Sequence, residues 1–193
     1  MMKGKPNRAR IPQTGRLLPL VLLGAVVICF MTGCDQEAVE REVKLPPGII
    51  VSYMGDHIPP EIKGYMTILN LLYSEDEGLN ADIDYIAVDT RGMHNLKPKQ
   101  KERLLELVGN LGFQVMDTTY TQLVTEGYIK DSYFERGILL EIEDEPMLCD
   151  DKMVFKRIRK WRSGLGAIGI SDVVLEWIEG QWVVTKQGDM SIS

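Results

Sequence analysis

Residues 173–184 read VVLEWIEGQWVV. Val173, Leu175 and Trp177 alternate with their neighbours, Glu179-Gly180 follows, and Trp182 and Val184 resume the alternation. A two-residue turn with glycine second suits the twist of a hairpin. The stretch therefore predicts two antiparallel strands with Trp177 opposite Trp182, an aromatic cross-strand pair that stabilises a sheet. Upstream, Ile138, Leu140 and Ile142 alternate with Leu139, Glu141 and Glu143. A turn near Cys149–Asp151 leads into a further strand over Met153–Trp161. From Gly137 onward the chain therefore reads as antiparallel sheet.

The preceding part has helical period. Pro59-Pro60 opens a helix with Ile62, Tyr65, Met66, Leu69 and Leu72 on one face. Residues 83–88, IDYIAV, read as a buried strand, and Phe113–Met116 as a second short one. Between them Pro98 suits the first position of a helix whose apolar face is Leu104, Leu107, Val108 and Leu111. Gly112 is its expected terminator. Thr118 or Thr119 caps a short helix through Tyr120, Leu123 and Val124, which ends near Gly127. Helices early and strands late predict an α+β domain, with helices packed on one face of a curved antiparallel sheet in a cystatin-like or nuclear-transport-factor-like (NTF2-like) arrangement. The strand at 83–88, between two helices, fits that layout poorly.

The 193-residue chain has 22 Lys+Arg and 28 Asp+Glu, for a net charge of −6. All the basic residues of the first 33 positions (Lys3, Lys5, Arg8, Arg10, Arg16) stand without an acid among them. Residues 34–193 then carry 17 basic and 28 acidic residues, net −11. That balance argues against nucleic acid as a partner, because phosphate binding wants a basic face.

The basic leader is followed by LLPLVLLGAVVICFM, Leu17 to Met31. This is short of the ~20 residues a spanning helix needs but suits a signal h-region. Thr32-Gly33-Cys34 follows. Met31-Thr32-Gly33-Cys34 resembles the bacterial lipobox, with Met31 where leucine is usual. The resemblance implies cleavage before Cys34 and a diacylglyceryl group on its thiol, which anchors the chain in the outer face of the cell membrane. Two acyl chains hold stably where one holds marginally. The expected organisation is a signal peptide over 1–33, an anchored tether over 34–47 (DQEAVEREVKLPP after the cysteine) and one domain over 48–193. Cys29 leaves with the signal, so Cys149 is the lone remaining thiol and no intramolecular disulfide forms.

Lys156-Arg157-Ile158-Arg159-Lys160-Trp161-Arg162 concentrates five basic residues in an acidic domain. Lys156, Arg157, Arg159, Lys160 and Arg162 are the candidate contacts for an anionic surface polymer or protein partner, with Arg157, Arg159 and Trp161 exposed together. The competing reading pairs this strand with the acidic one beside it, Glu141 opposite Lys156.

Other motifs carry less. Gly164–Gly169 spells GxGxxG, but the residues after it read as strand, whereas a dinucleotide loop opens a helix. It is read as a glycine-rich turn, and no cofactor is expected. Asn80–Asp84 begins like a calcium loop but has Tyr85 at the sixth position and Arg91 at the twelfth. His57 and His94 form no metal pattern, and Cys149 sits among acids that disfavour a thiolate. No catalytic and no metal residues are assigned.

Trp161–Gly169 (WRSGLGAIG), the hairpin Gly180–Val184, the Ile192-Ser193 ending and Tyr85–Asn95 resemble small uncharacterised lipoproteins of Bacillus-type Gram-positive bacteria. The resemblance implies a surface lipoprotein and supplies no catalytic residues. A membrane-anchored, non-enzymatic binding module is the leading expectation. The alternatives are a small cell-wall-associated hydrolase using His94, Asp89 and Arg91, and a ligand-capturing accessory subunit of a transporter.

Overall fold

A computed structural model describes residues 58–193. The signal over 1–33, Cys34, the tether over 34–47, the start of the domain at Gly48 and His57 lie outside the described residues.

The elements are α1 (Pro60–Ser74), β1 (Tyr85–Asp89), α2 (Pro98–Gly109), β2 (Gln114–Asp117), α3 (Tyr120–Thr125), β3 (Gly137–Ile142), β4 (Met147–Cys149), β5 (Lys152–Ser163), β6 (Gly166–Ile178), β7 (Gln181–Lys186) and β8 (Met190–Ile192). They form an α+β fold on one curved, unclosed sheet of eight strands. Its main order is β2-β1-β3-β5-β6-β7, with β4 added beside β5 and β8 beside β6.

The sheet is mixed rather than wholly antiparallel. β1 runs parallel to both β2 and β3, and the rest is antiparallel. Parallel neighbours need a crossover, which explains why the strand at 83–88 sits between helices. α2 makes the crossover from β1 to β2, and α3 lies on the route from β2 to β3.

The two longer helices pack on one face. Ile62, Met66 and Leu69 of α1 and Leu104, Leu107 and Val108 of α2 join Ile86, Val88, Ile138, Leu140, Ile158 and Ile170 in the main core. The opposite face carries a smaller cluster, where Leu123 of α3, Ile129 and Phe134 cover Ala87, Leu139 and Trp161. The short α3 thus departs from the expected one-sided helix layer.

Local signals are realised at the termini. Pro60 and Pro98 occupy the first turns of their helices. Thr119 caps α3: its hydroxyl accepts from Gln122 N at 3.2 Å, while Gln122 Oε1 accepts from Thr119 N at 3.0 Å. Gly127, at φ 80°, ends α3. Tyr128 N donates back to Leu123 O and Gly127 N to Val124 O, which satisfies carbonyls the helix leaves open. The Glu179-Gly180 turn has positive φ at both residues, 50° and 83°. This is the geometry that matches strand twist, and Trp177 pairs with Trp182 as expected, ring centroids 5.3 Å apart. Trp182 Nε1 also donates to Pro60 O at 2.7 Å, pinning the last hairpin to the start of α1.

The tightest approach lies just past β1. Gly92 sits against β3 so closely that an added Cβ would run into the Ile142 carbonyl oxygen, which is backbone and cannot swing aside. Gly92→Ala should lower stability by about 2–3 kcal/mol. Gly164→Ala, in open space at the β5–β6 turn, should change it by less than about 0.5 kcal/mol. Urea unfolding of both variants checks this, and equal effects would contradict it.

Candidate functional site

The basic run of β5 does not form the expected surface. Lys160 is fully buried and Trp161 and Arg162 are 4% and 9% exposed. Lys160 stands in register with Leu140 and Ile168 on the main-core face. Its ammonium donates to the carbonyls of Tyr73 at 3.2 Å, Asp76 at 3.1 Å and Glu75. Tyr73 lies in the last turn of α1 and Glu75 caps it, so the cation complements the helix dipole there. Arg162 donates to Leu79 O at 3.0 Å, Ala81 O at 2.7 Å and Glu135 O at 2.9 Å. Trp161 turns to the other face and meets Tyr120 edge-on at 4.9 Å.

Two further cations of the run are paired. Arg157 meets Glu143 at 3.0 Å and Arg159 meets Glu141 at 3.6 Å. Lys156 is exposed. The expectation of a shared anionic-partner patch is corrected for Lys160 and Arg162, which internal carbonyls hold in the interior; Arg157 and Arg159 keep accessible guanidiniums paired with Glu143 and Glu141, and Lys156 is exposed. Glu141 faces Arg159 rather than Lys156, because a hairpin that turns at Cys149–Asp151 sets opposite each other residues equally far from position 150. The GxGxxG residues form the β5–β6 turn and the start of β6.

Polar groups converge instead at the carboxyl end of the parallel strands, where α/β sheets place their sites. Asp89 ends β1. Its carboxylate accepts Arg91 N at 3.0 Å and, side on, Arg91 Nε at 3.0 Å and Nη2 at 2.7 Å. The Asp89 side chain is 8% exposed, and that of Arg91 74%. Thr90 Oγ1 donates to the Asp117 carboxylate at 2.9 Å, tying the ends of β1 and β2 together. Lys101 Nζ reaches back from α2 to Thr90 O at 2.7 Å.

The register carries this chemistry across the sheet. Asp89 lies beside Glu141, Glu141 beside Arg159, Arg159 beside Gly169 and Gly169 beside Ser191. In this row the arginine side chains reach solvent, and the Asp89 and Glu141 carboxylates are largely buried. Burial holds the Glu141 carboxyl above the usual range, helped by Asp89 and Glu143 and opposed by Arg159 and Arg91. Two carboxylates thus sit side by side between two guanidiniums. Asp89 and Arg91 stand where the sequence suggested, and His94 is exposed in the loop before α2. Cys149 is exposed at the end of β4. No protein-family model, curated protein or solved structure matches this chain. Among the described residues, no group of three His, Cys, Asp or Glu is placed to hold a metal ion, and no helix is long and apolar enough to cross a membrane.

A second basic stretch escaped the sequence reading. Arg91, Lys97, Lys99, Lys101 and Arg103 fall within thirteen residues, with Glu102 the one acid. Met93, Leu96 and Pro98 interrupt them, so no contiguous run marks them. Arg91, Lys97, Lys99 and Arg103 are exposed around the start of α2.

Burial pushes the Lys160 ammonium down from 10.5 to about 8, against the pull of Asp76, Glu75 and Glu77. The folded chain then releases this proton near pH 8, and the unfolded chain keeps it to about pH 10.5. Between those values the unfolded state binds more protons, so stability gains with rising pH. Unfolding free energies should show the parent gaining on Lys160→Met between pH 7.5 and pH 10. Parallel pH curves would contradict this.

Proposed function

We propose that this chain is a lipid-anchored extracytoplasmic binding module, held at the outer face of the cell membrane through Cys34. The lipobox-like Met31–Cys34 at the end of an apolar segment too short to span supports the anchor. The observation that carries the binding reading is the charged row Arg91–Asp89, Glu141–Arg159 and Glu143–Arg157, which turns its guanidiniums toward solvent. The guanidinium side of each pair is accessible, while the Asp89 and Glu141 carboxylates behind them are largely buried. A partner presenting its own charges can meet the guanidiniums, which gives orientation and selectivity.

A second reading, a cell-wall-associated hydrolase, is favoured by one feature. Asp89 and Glu141 are adjacent carboxylates, and Glu141 is held above its ordinary acidity range. A carboxyl held above its ordinary range beside a second carboxyl is raw material for proton transfer.

Fractionation of cells tests the anchor: Cys34→Ala should move the protein from membranes to the soluble fraction, and retention after washing would count against lipidation. Crosslinking of the anchored protein in cells tests the row. A Glu141→Lys, Asp89→Lys protein should lose at least about tenfold of the captured partner, the cost of like charges across an interface. Undiminished capture would move the contact elsewhere. A wall fragment held only by Glu141→Gln would favour the hydrolase.

A further inference from the structure

α1 and α2 lie side by side and point the same way. Near their beginnings the Tyr65 hydroxyl donates to Asn95 Oδ1, just before α2. Near their ends Tyr73 meets Phe113, just after α2, at 6.1 Å. Both helices therefore start at the end of the domain where β1 stops. The exposed loop 91–99 is at that end, and so is Ile58, where the chain arrives from its amino-terminal segment. The hairpin tip pinned to Pro60 is there too, with Lys63 over the Trp177 ring at 5.8 Å.

We infer that this end of the domain, through Arg91, Lys97 and Lys99, rests on the anionic phospholipid headgroups of the bilayer in which the chain's own Cys34 is anchored. The inference rests on the anchored reading of Cys34 and adds to it a direction and a contact surface.

Three observations carry it. The first is geometric: 23 residues separate Cys34 from Ile58, and even fully extended they reach no more than ~85 Å. The tether thus joins the bilayer to the same end of the domain as loop 91–99, and its length lets that end reach the surface. The second is the state of the cations. Among the described residues, neither Lys97 nor Lys99 has a carboxylate within ion-pair distance. Arg91 meets Asp89 through one edge and leaves most of its guanidinium in solvent. Each such cation near an anionic surface contributes about 1 kcal/mol.

The third is what limits the contact. Gly92 lies against Ile142, and Glu145 acts on Tyr65, so the acidic turn Glu143-Asp144-Glu145 is next to the basic loop. The described residues hold 15 basic and 23 acidic side chains. A patch in this setting binds weakly as a free domain. A tether makes the encounter intramolecular, and weak contacts then suffice.

The test uses the full lipidated chain in vesicles of phosphatidylglycerol or of phosphatidylcholine. Flotation reads the anchor, and amide hydrogen exchange in the floated protein reads the contact. Exchange over residues 91–101 should slow by about fivefold or more on phosphatidylglycerol, the effect of one cation at such a surface. The slowing should vanish in 0.5 M salt and in Lys97→Glu/Lys99→Glu. Lys97→Gln/Lys99→Gln, which only neutralises, should retain part of it. Equal exchange on both lipids in protein that floats would overturn the docking and leave the anchor standing. Failure to float would overturn both. Equal protection by a soluble anionic polymer without a bilayer would overturn the lipid as the partner.

Discussion

The connection from α1 to β1 depends on two cations that arrive more than eighty residues later in sequence. Six carbonyl groups, of Tyr73, Glu75, Asp76, Leu79, Ala81 and Glu135, accept from Lys160 and Arg162. A buried carbonyl without a donor costs about 1–3 kcal/mol, and a buried ammonium without acceptors costs more. Each side therefore needs the other. The end of a helix can stop against the sheet only because β5 supplies donors there, and β5 can carry cations through the core only because the helix end supplies acceptors. The arrangement is not complete: Arg162 Nε and Asn80 Oδ1, both buried, have no partner among the described residues. Truncating Arg162 would take the donor from the Leu79, Ala81 and Glu135 carbonyls at once, whereas truncating Lys160 would leave Tyr73 O with Asn80 Nδ2 and Asp76 O with Leu79 N.

This pairing also shows where sequence reading ends. The helix at Pro60, the helix at Pro98, the cap at Thr119 and the Trp177–Trp182 hairpin were all legible, because each is decided by residues within a few positions of one another. The parallel pairing of β1 with β2 and β3 was not. It is set by crossovers over α2 and α3, and no local residue pattern records which strand a crossover returns to. Lys160 and Arg162 misled for a related reason. A lysine in an alternating strand is counted as outward-facing, since its charge is expected to seek water. Here the acceptors that replace water belong to a distant turn, and nothing near Lys160 announces them.

The same distinction governs the candidate site. Asp89 and Arg91 were visible as polar residues at a strand end. Their relation to Glu141 and Arg159 follows from the register of three strands, which only the folded chain reveals. The dense run at 156–162 drew attention and the dispersed one at 91–103 did not, yet their roles are reversed. In the dense run the cations serve the interior or are matched by carboxylates, apart from Lys156. In the dispersed one, buried Met93 and Leu96 hold the loop down, and the cations between and after them stay in solvent. Density of charge along a chain reports composition, whereas availability of charge is decided by what the fold has already paired.

Topology then ties availability to direction. A helix that precedes a strand and packs on the sheet it enters must run back along that strand, so its beginning lies at the strand's carboxyl end. α1 precedes β1 in this way, and α2 leaves β1 from that same end. Any segment joined to the front of α1 therefore enters beside the loop that follows β1, whatever that segment's own conformation. In a chain tethered from its front, the carboxyl edge of the parallel strands is brought toward the anchor. Here that edge carries both the Asp89–Glu141–Arg159 row and the exposed cations of the loop before α2. The point where the chain enters and the exposed charges at 91–99 thus share one end of the domain because the order of elements requires it.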